Sequence, residues 1–240
     1  MDVSRRLVAE ALGTALLLAC VVGSGIMAER LSGGNVGLAL LANALATGGA
    51  LVALILTFGG ISGAHFNPAV SLAAALRKEL SRRDAMLYML VQIAGAFCGV
   101  MAAHLMFGEP LLSASQHIRS GPTQWWSEFV ATFGLLAVIF GCSRSRPDAV
   151  PFAVACYIVG AYWFTASTSF ANPAVTLARA ATDTFAGIRP LDTPGFIVAQ
   201  ILGAVTATLL FNWLLHDKAA LSLDLLANAG TDREVKPLQD

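Results

Sequence analysis

Polar positions along this chain come in short clusters, and long apolar stretches run between them. Six stretches, at about 7–27, 36–59, 85–107, 125–143, 148–166 and 194–215, are each near the length that carries a helix across a bilayer, roughly 20 mostly apolar residues. None alternates with the period of two expected of an outer-membrane strand. The pattern predicts an all-α membrane protein with six transmembrane helices. Two further apolar segments are too short to span: NPAVSLAAALR from residue 67 and NPAVTLARAAT from residue 172. Each opens on an Asn-Pro pair, which usually marks a wet turn.

Asparagine is a strong helix N-cap and proline fits the first helical position. The two segments therefore predict helices of about ten residues, the first ending at Arg77 and Lys78 and the second running to Asp183. At 1.5 Å per residue each covers about 15 Å, half a bilayer. Before them lie GGISGAHF (59–66) and TASTSFA (165–171), read as extended backbone. Irregular backbone persists at membrane depth only where it lines water or is buried in protein.

The chain repeats itself. AEALGTALLLACVVG (9–23) matches SEFVATFGLLAVIFG (127–141), pairing Glu10 with Glu128. VQIAGAFCG (91–99) matches AQILGAVTA (199–207), pairing Gln92 with Gln200 and Gly95 with Gly203. Each half holds three spans and one NPAV segment, and an odd number of spans inverts the second half against the first. The two short helices then enter from opposite faces, and their N-terminal dipoles converge near the midplane. That convergence repels cations and orients water or a hydroxyl. The chain reads as one channel domain over 1–240, with a first repeat at 5–107, a second at 125–215 and a polar cytoplasmic tail at 216–240.

Composition agrees: 56% of residues are apolar and 12% charged, against about 25% charged in soluble domains. The net charge is zero, so nothing invites nucleic acid. The first apolar run is long enough to span, and no cleavable signal peptide is expected. Arg5, Arg6, Arg77, Lys78, Arg82, Arg83, Arg144, Arg146, Lys218, Arg233 and Lys236 fall on one side. Arg30, Arg119, Arg179 and Arg189 fall on the other. The positive-inside bias places both termini in the cytoplasm, as for a multi-pass protein of a plasma membrane. The four cysteines lie inside apolar spans without CxxC spacing and read as small buried residues. No His, Cys or carboxylate set stands at metal-ligand spacing, so neither metal nor cofactor is expected.

With both NPA motifs, AHFNP at 64–68, the paired Glu10 and Glu128 and the two Gln-x-x-Gly segments, residues 5–215 resemble the aquaporin and glycerol-channel family, the major intrinsic proteins. The resemblance implies six tilted helices, two re-entrant half-helices and a homotetramer with one pore per subunit among membrane lipids. It assigns Asn67, Pro68, Ala69, Asn172, Pro173 and Ala174 to the pore centre. It gives Glu10 and Glu128 the role of accepting hydrogen bonds from the extended loop of their own half. Proton relay is the competing role for these two carboxylates. His65 is open between bracing that loop and lining the pore.

The family's narrowest point is set by four positions, counted here without gaps. They are Thr47, twenty before the first Asn; Gly160, twelve before the second; Ser169, three before it; and Val175, three after it. Water channels usually carry His where Gly160 stands, Phe or Trp is common in place of Thr47, and Arg usually occupies the place of Val175. The glycerol-channel subgroup commonly has Arg then Asp where Val175 and Thr176 stand. The four residues present are small and uncharged. Lacking the filter arginine, the chain resembles bacterial channels associated with arsenic resistance. The expected function is passive passage of water and neutral polyol-like solutes, among them glycerol, urea, boric acid, arsenite and antimonite. Arg179, four residues beyond Val175, is expected either at the outer mouth or snorkelling to headgroups. An ion-coupled transporter shares inverted repeats and broken helices, and proton-dependent flux would mark it. An intramembrane enzyme would need a nucleophile with a base, which GSG (23–25) and ISG (61–63) lack. A junction protein would carry no flux at all.

Overall fold

A computed structural model describes residues 1–215; the expected tail at 216–240 lies outside the described residues. Every regular element among the described residues is helical: α1 (Val3–Leu31), α2 (Val36–Ser62), α3 (Pro68–Leu76), α4 (Arg82–Phe107), α5 (Pro122–Ser145), α6 (Val150–Phe164), α7 (Pro173–Arg179) and α8 (Thr193–Leu214). Single 3-10 turns at Pro147–Ala149 and Pro190–Asp192 lead into α6 and α8. Six of the helical segments are long and apolar enough to cross a membrane. The protein is an integral multi-pass membrane protein.

Local chemistry sets the starts. Asn35 caps α2 through its side chain, which accepts from Leu38 N at 3.0 Å, and Ser81 caps α4 by accepting from Asp84 N at 3.0 Å. α5 starts on Pro122. Within the first half α1 packs on α2 and α4; within the second α5 packs on α6 and α8; α2 meets α6 across the halves. The α1–α4 and α5–α8 contacts are close because glycines permit it. A methyl group on Gly95 would collide with the Ala11 carbonyl oxygen, and one on Gly203 would stand 2.6 Å from that of Phe129. In lipid, small residues of this kind let helix backbones approach. Outward faces carry Leu12, Leu16, Leu45, Leu90, Phe152 and Leu209, all exposed apolar side chains suited to the bilayer.

The half-helices differ from the sequence expectation in length. α3 ends at Leu76 with Arg77 as its C-cap, close to the expected end. α7 ends at Arg179, four residues short of Asp183. Its C-terminal carbonyls have other donors. Ile188 N donates to Arg179 O (3.2 Å), Ser115 N to Ala180 O (3.1 Å) and Ser113 N to Ala181 O (3.0 Å). An alanine-rich run that favours helix thus yields to pairing with the loops before α5 and α8.

Candidate pore

Asn67 and Asn172 are the N-caps of α3 and α7, with Pro68 and Pro173 at the first helical positions. Each asparagine oxygen is spent on its own helix: Asn67 Oδ1 accepts from Ala69 N (2.9 Å), and Asn172 Oδ1 from Ala174 N (3.0 Å) and Val175 N (3.3 Å). Each amide nitrogen is spent partly on the opposite half. Asn67 Nδ2 donates to Ala171 O and Asn172 Nδ2 to Phe66 O, both at 2.8 Å. This reciprocal pair ties the two helix starts end to end. An amide nitrogen has two hydrogens, so one on each asparagine stays free for the cavity they border.

Of the first run read as extended, residues 59–62 belong to the end of α2, because the helix continues to its left-handed C-cap at Gly63; the last four residues of each run, 63–66 and 168–171, match in the sign of φ. Positive φ occurs at Gly63, Ala64 and Phe66, and again at Thr168, Ser169 and Ala171, the same places relative to Asn67 and Asn172. For non-glycine residues this conformation costs about 1–2 kcal/mol each. The buried carboxylates hold it. Glu10 accepts from His65 N (3.0 Å), Phe66 N (2.7 Å), Ser62 Oγ (2.6 Å) and Gln92 Nε2 (2.8 Å). Glu128 accepts from Phe170 N (2.8 Å), Ala171 N (2.8 Å) and Gln200 Nε2 (2.6 Å). Each glutamine also reaches the half-helix, Gln92 Nε2 to Ser71 Oγ at 2.9 Å and Gln200 Nε2 to Thr176 Oγ1 at 2.8 Å. With their N–H groups committed to carboxylates, the runs leave carbonyls over. Among the described residues nothing donates to the carbonyl oxygens of Gly63, Ala64 and His65, or of Thr168, Ser169 and Phe170. Five of those six residues border one continuous cavity of about 870 Å³.

The rest of the wall is apolar: Leu17 and Val21 of α1, Leu51 and Ile55 of α2, Leu135 and Ile139 of α5, Val154 and Ile158 of α6. At one end the cavity reaches Arg77, Arg144 and Asn212, and at the other Thr47, Val175 and Arg179. A solute inside meets a row of carbonyl acceptors, two amide donors at the centre and hydrocarbon opposite.

His65 does two things at once: it lines the cavity, and its ring contacts Ser71 Oγ through Nδ1 at 3.1 Å. Thr47, Ser169 and Val175 border the cavity and are almost fully buried. Gly160 does not belong with them. It is exposed, is absent from the cavity wall, and a methyl group added there would meet nothing within 4 Å. The α6 residues that do line the cavity are Val150, Val154, Ile158 and Tyr162, spaced by four. Gly160 lies two residues from each of the last two, about 200° around the helix. Counting back from Asn172 without gaps thus lands on a face away from the cavity; two residues on, on the cavity face, stands Tyr162. Its hydroxyl lies 3.3 Å from Thr47 Oγ1.

Arg179 does not snorkel. It is 3% exposed, lines the cavity, donates from Nε to Ala186 O, and holds its guanidinium carbon 3.4 Å from the Phe170 ring centroid. Arg119 carries no repeat or motif to announce it. It reaches the same ring from the loop before α5, at 5.3 Å, and donates to Gly187 O at 2.8 Å. Burial lowers the Arg119 guanidinium from its ordinary value, yet arginine stays charged near neutral pH. The glutamines and the Ser71/Thr176 hydroxyls were visible as repeated positions, although only the fold shows what they hold.

Spanning helices around two half-helices that meet start to start, with a cavity threading the junction, make this a membrane channel. A family model described as Major intrinsic protein matches residues 1–149 and 146–234. The chain belongs to the major intrinsic protein family. Aquaglyceroporin AqpS of Rhizobium meliloti (strain 1021) is 58% identical over 215 residues, 90% of this chain and 92% of that protein. Probable aquaporin PIP2-8 of Oryza sativa subsp. japonica is 33% identical over 150 residues, 57% of this chain and 52% of its own length. The X-ray structure of the aquaglyceroporin from Plasmodium falciparum superposes with a TM-score of 0.67 at 20% identity, covering 93% of this chain and 100% of that one. At that identity the likeness is one of fold.

Proposed function

We propose that the protein conducts water and small neutral solutes passively, with a neck that favours polyol-like molecules: glycerol, and the trivalent metalloid acids arsenite and antimonite. The reading rests above all on Val175, an aliphatic side chain on the cavity wall at the family's usual filter-arginine position. Around it stand Thr47, Ser169 and Tyr162, which offer hydroxyls and no charge. Ser169 Oγ has no partner among the described residues. A neutral solute displaying several hydroxyls can exchange hydrogen bonds with these groups and with the free carbonyls. A cation would lose its hydration without a counter-charge. The aquaglyceroporin name of the 58% identical relative supports the same solute class. Both intramembrane carboxylates are committed to loop N–H groups and to glutamine, which argues against ion coupling through them. The pore centre in this reading is Asn67, Pro68, Ala69, Asn172, Pro173 and Ala174. The filter is Thr47, Tyr162, Ser169 and Val175, and Arg179 stands in the outer vestibule. A homotetramer in the bacterial inner membrane, with both termini cytoplasmic, completes it.

The test is a flux panel in proteoliposomes: water, glycerol, urea and arsenite. Glycerol and arsenite are expected to pass within about tenfold of one another, a barrier difference of about 1.4 kcal/mol or less. Conduction of water with glycerol and arsenite shut out would contradict the proposal.

A further inference from the structure

Phe170 carries two guanidinium groups, those of Arg179 at 3.4 Å and Arg119 at 5.3 Å from its ring centroid. Neither forms an ion pair among the described residues. The nearby acids are engaged. Asp192 accepts from Arg189 Nη2 (2.8 Å) and from the Arg119 backbone N (2.9 Å), and Glu128 holds its loop. The arginine forks are only partly used. Arg179 spends Nε on Ala186 O, and its two terminal nitrogens bond nothing among the described residues. Arg119 spends Nε on Gly187 O, while Nη1 has only long contacts, 3.4 Å to Ser167 O and 3.5 Å to Thr168 Oγ1. Its Nη2 has no partner among the described residues. One aromatic ring attracts a cation but does not neutralise two. Removing a guanidinium from water without a counter-charge is costly, and an anion that arrives there recovers that cost.

The geometry points to a binding site for a small oxyanion at the outer end of the cavity: the free fork of Arg179 grips two oxygens, and Arg119 adds the second positive charge. The paired terminal nitrogens of a guanidinium match two oxygens of one anion. Because Arg179 lines the cavity one helical turn beyond Val175, the bound anion stands in the solute path and closes it from outside. The block rests on the pore reading; the binding does not.

Sulfate is the probe, a membrane-impermeant oxyanion, with chloride at matched ionic strength as the control. In the purified full-length protein, sulfate is expected to raise the thermal unfolding midpoint where chloride does not, and Arg179→Gln is expected to remove that shift. Glycerol uptake by spheroplasts, whose outer face meets the medium, is expected to fall to about half when sulfate equals its Kd. Inside-out vesicles are expected to be insensitive. Arg119→Gln is expected to weaken the block, each variant being normalised to its own sulfate-free flux. A sulfate shift no larger than that of chloride overturns the inference. So does a block of equal strength from both faces, a readout on the unmodified protein that stands even if Arg179→Gln fails to fold. Absence of glycerol flux without sulfate would count against the pore reading alone, since the unfolding shift still reports on the site.

Discussion

Val175→Arg is expected to cut glycerol and arsenite flux at least about tenfold, while water flux falls much less. A tenfold loss corresponds to about 1.4 kcal/mol of added barrier. Val175 sits in the first turn of α7, where its backbone N is held at 3.3 Å by Asn172 Oδ1 and its side chain borders the cavity. The helix start is therefore fixed, and a longer side chain has the cavity to enter. A guanidinium there removes free width and brings a third cation beside Arg179, which lies four residues on along the same face. Water needs the least room and suffers least. Stopped-flow light scattering with each solute checks it. An unchanged ratio of glycerol to water flux would mean that residue 175 does not face the narrowest part of the pore.

Glu128→Ala is expected to destabilise the second half by about 3 kcal/mol or more, and with it to abolish flux. The donors that lose their acceptor include Phe170 N, Ala171 N and Gln200 Nε2. Hydrogen bonds to a charged group are worth about 1.5–3 kcal/mol each, and buried donors left without partners add their desolvation cost. The positive-φ backbone at Ser169 and Ala171 then keeps, among the described residues, only the bond from Ser169 N to Ser167 Oγ (3.2 Å) and that from Asn67 Nδ2 to Ala171 O (2.8 Å). Glu128→Gln keeps the shape but turns an NH2 group toward donors, so it is expected to fall between the parent and the alanine variant. Thermal unfolding and glycerol flux of both variants test this. If Glu128→Ala folds and conducts like the parent, the carboxylate is not the brace. If Glu128→Gln folds normally and only a proton dependence disappears, the relay role regains its place.

Much of this architecture is legible in the residues because it rests on signals within one segment. Span length and apolarity mark the six long helices, and Asn-Pro marks two helix starts whose caps need only their own first turn. The pairing of Glu10 with Glu128 is visible because each half solves the same problem, how to hold a strained loop in an apolar setting. What escapes the sequence depends on contacts between segments. Gly160 is misplaced because a count along the chain ignores helix phase, and two residues turn a side chain from cavity to lipid. The end of α7 is misplaced because the Ser113, Ser115 and Ile188 N–H groups take carbonyls that alanines would otherwise use. Arg179 looks like a headgroup residue by charge alone; its burial depends on Phe170 and on the Ala186 carbonyl. Arg119 sits in a loop without repeat or motif, so nothing local distinguishes it from any exposed arginine.

Glycerol flux into proteoliposomes, with and without an imposed proton gradient, tests passive conduction most directly. The account predicts flux that follows the glycerol gradient alone, needs no ATP, and is unchanged when a protonophore collapses the proton gradient. Flux that stops on collapse would contradict it and make the protein a coupled transporter.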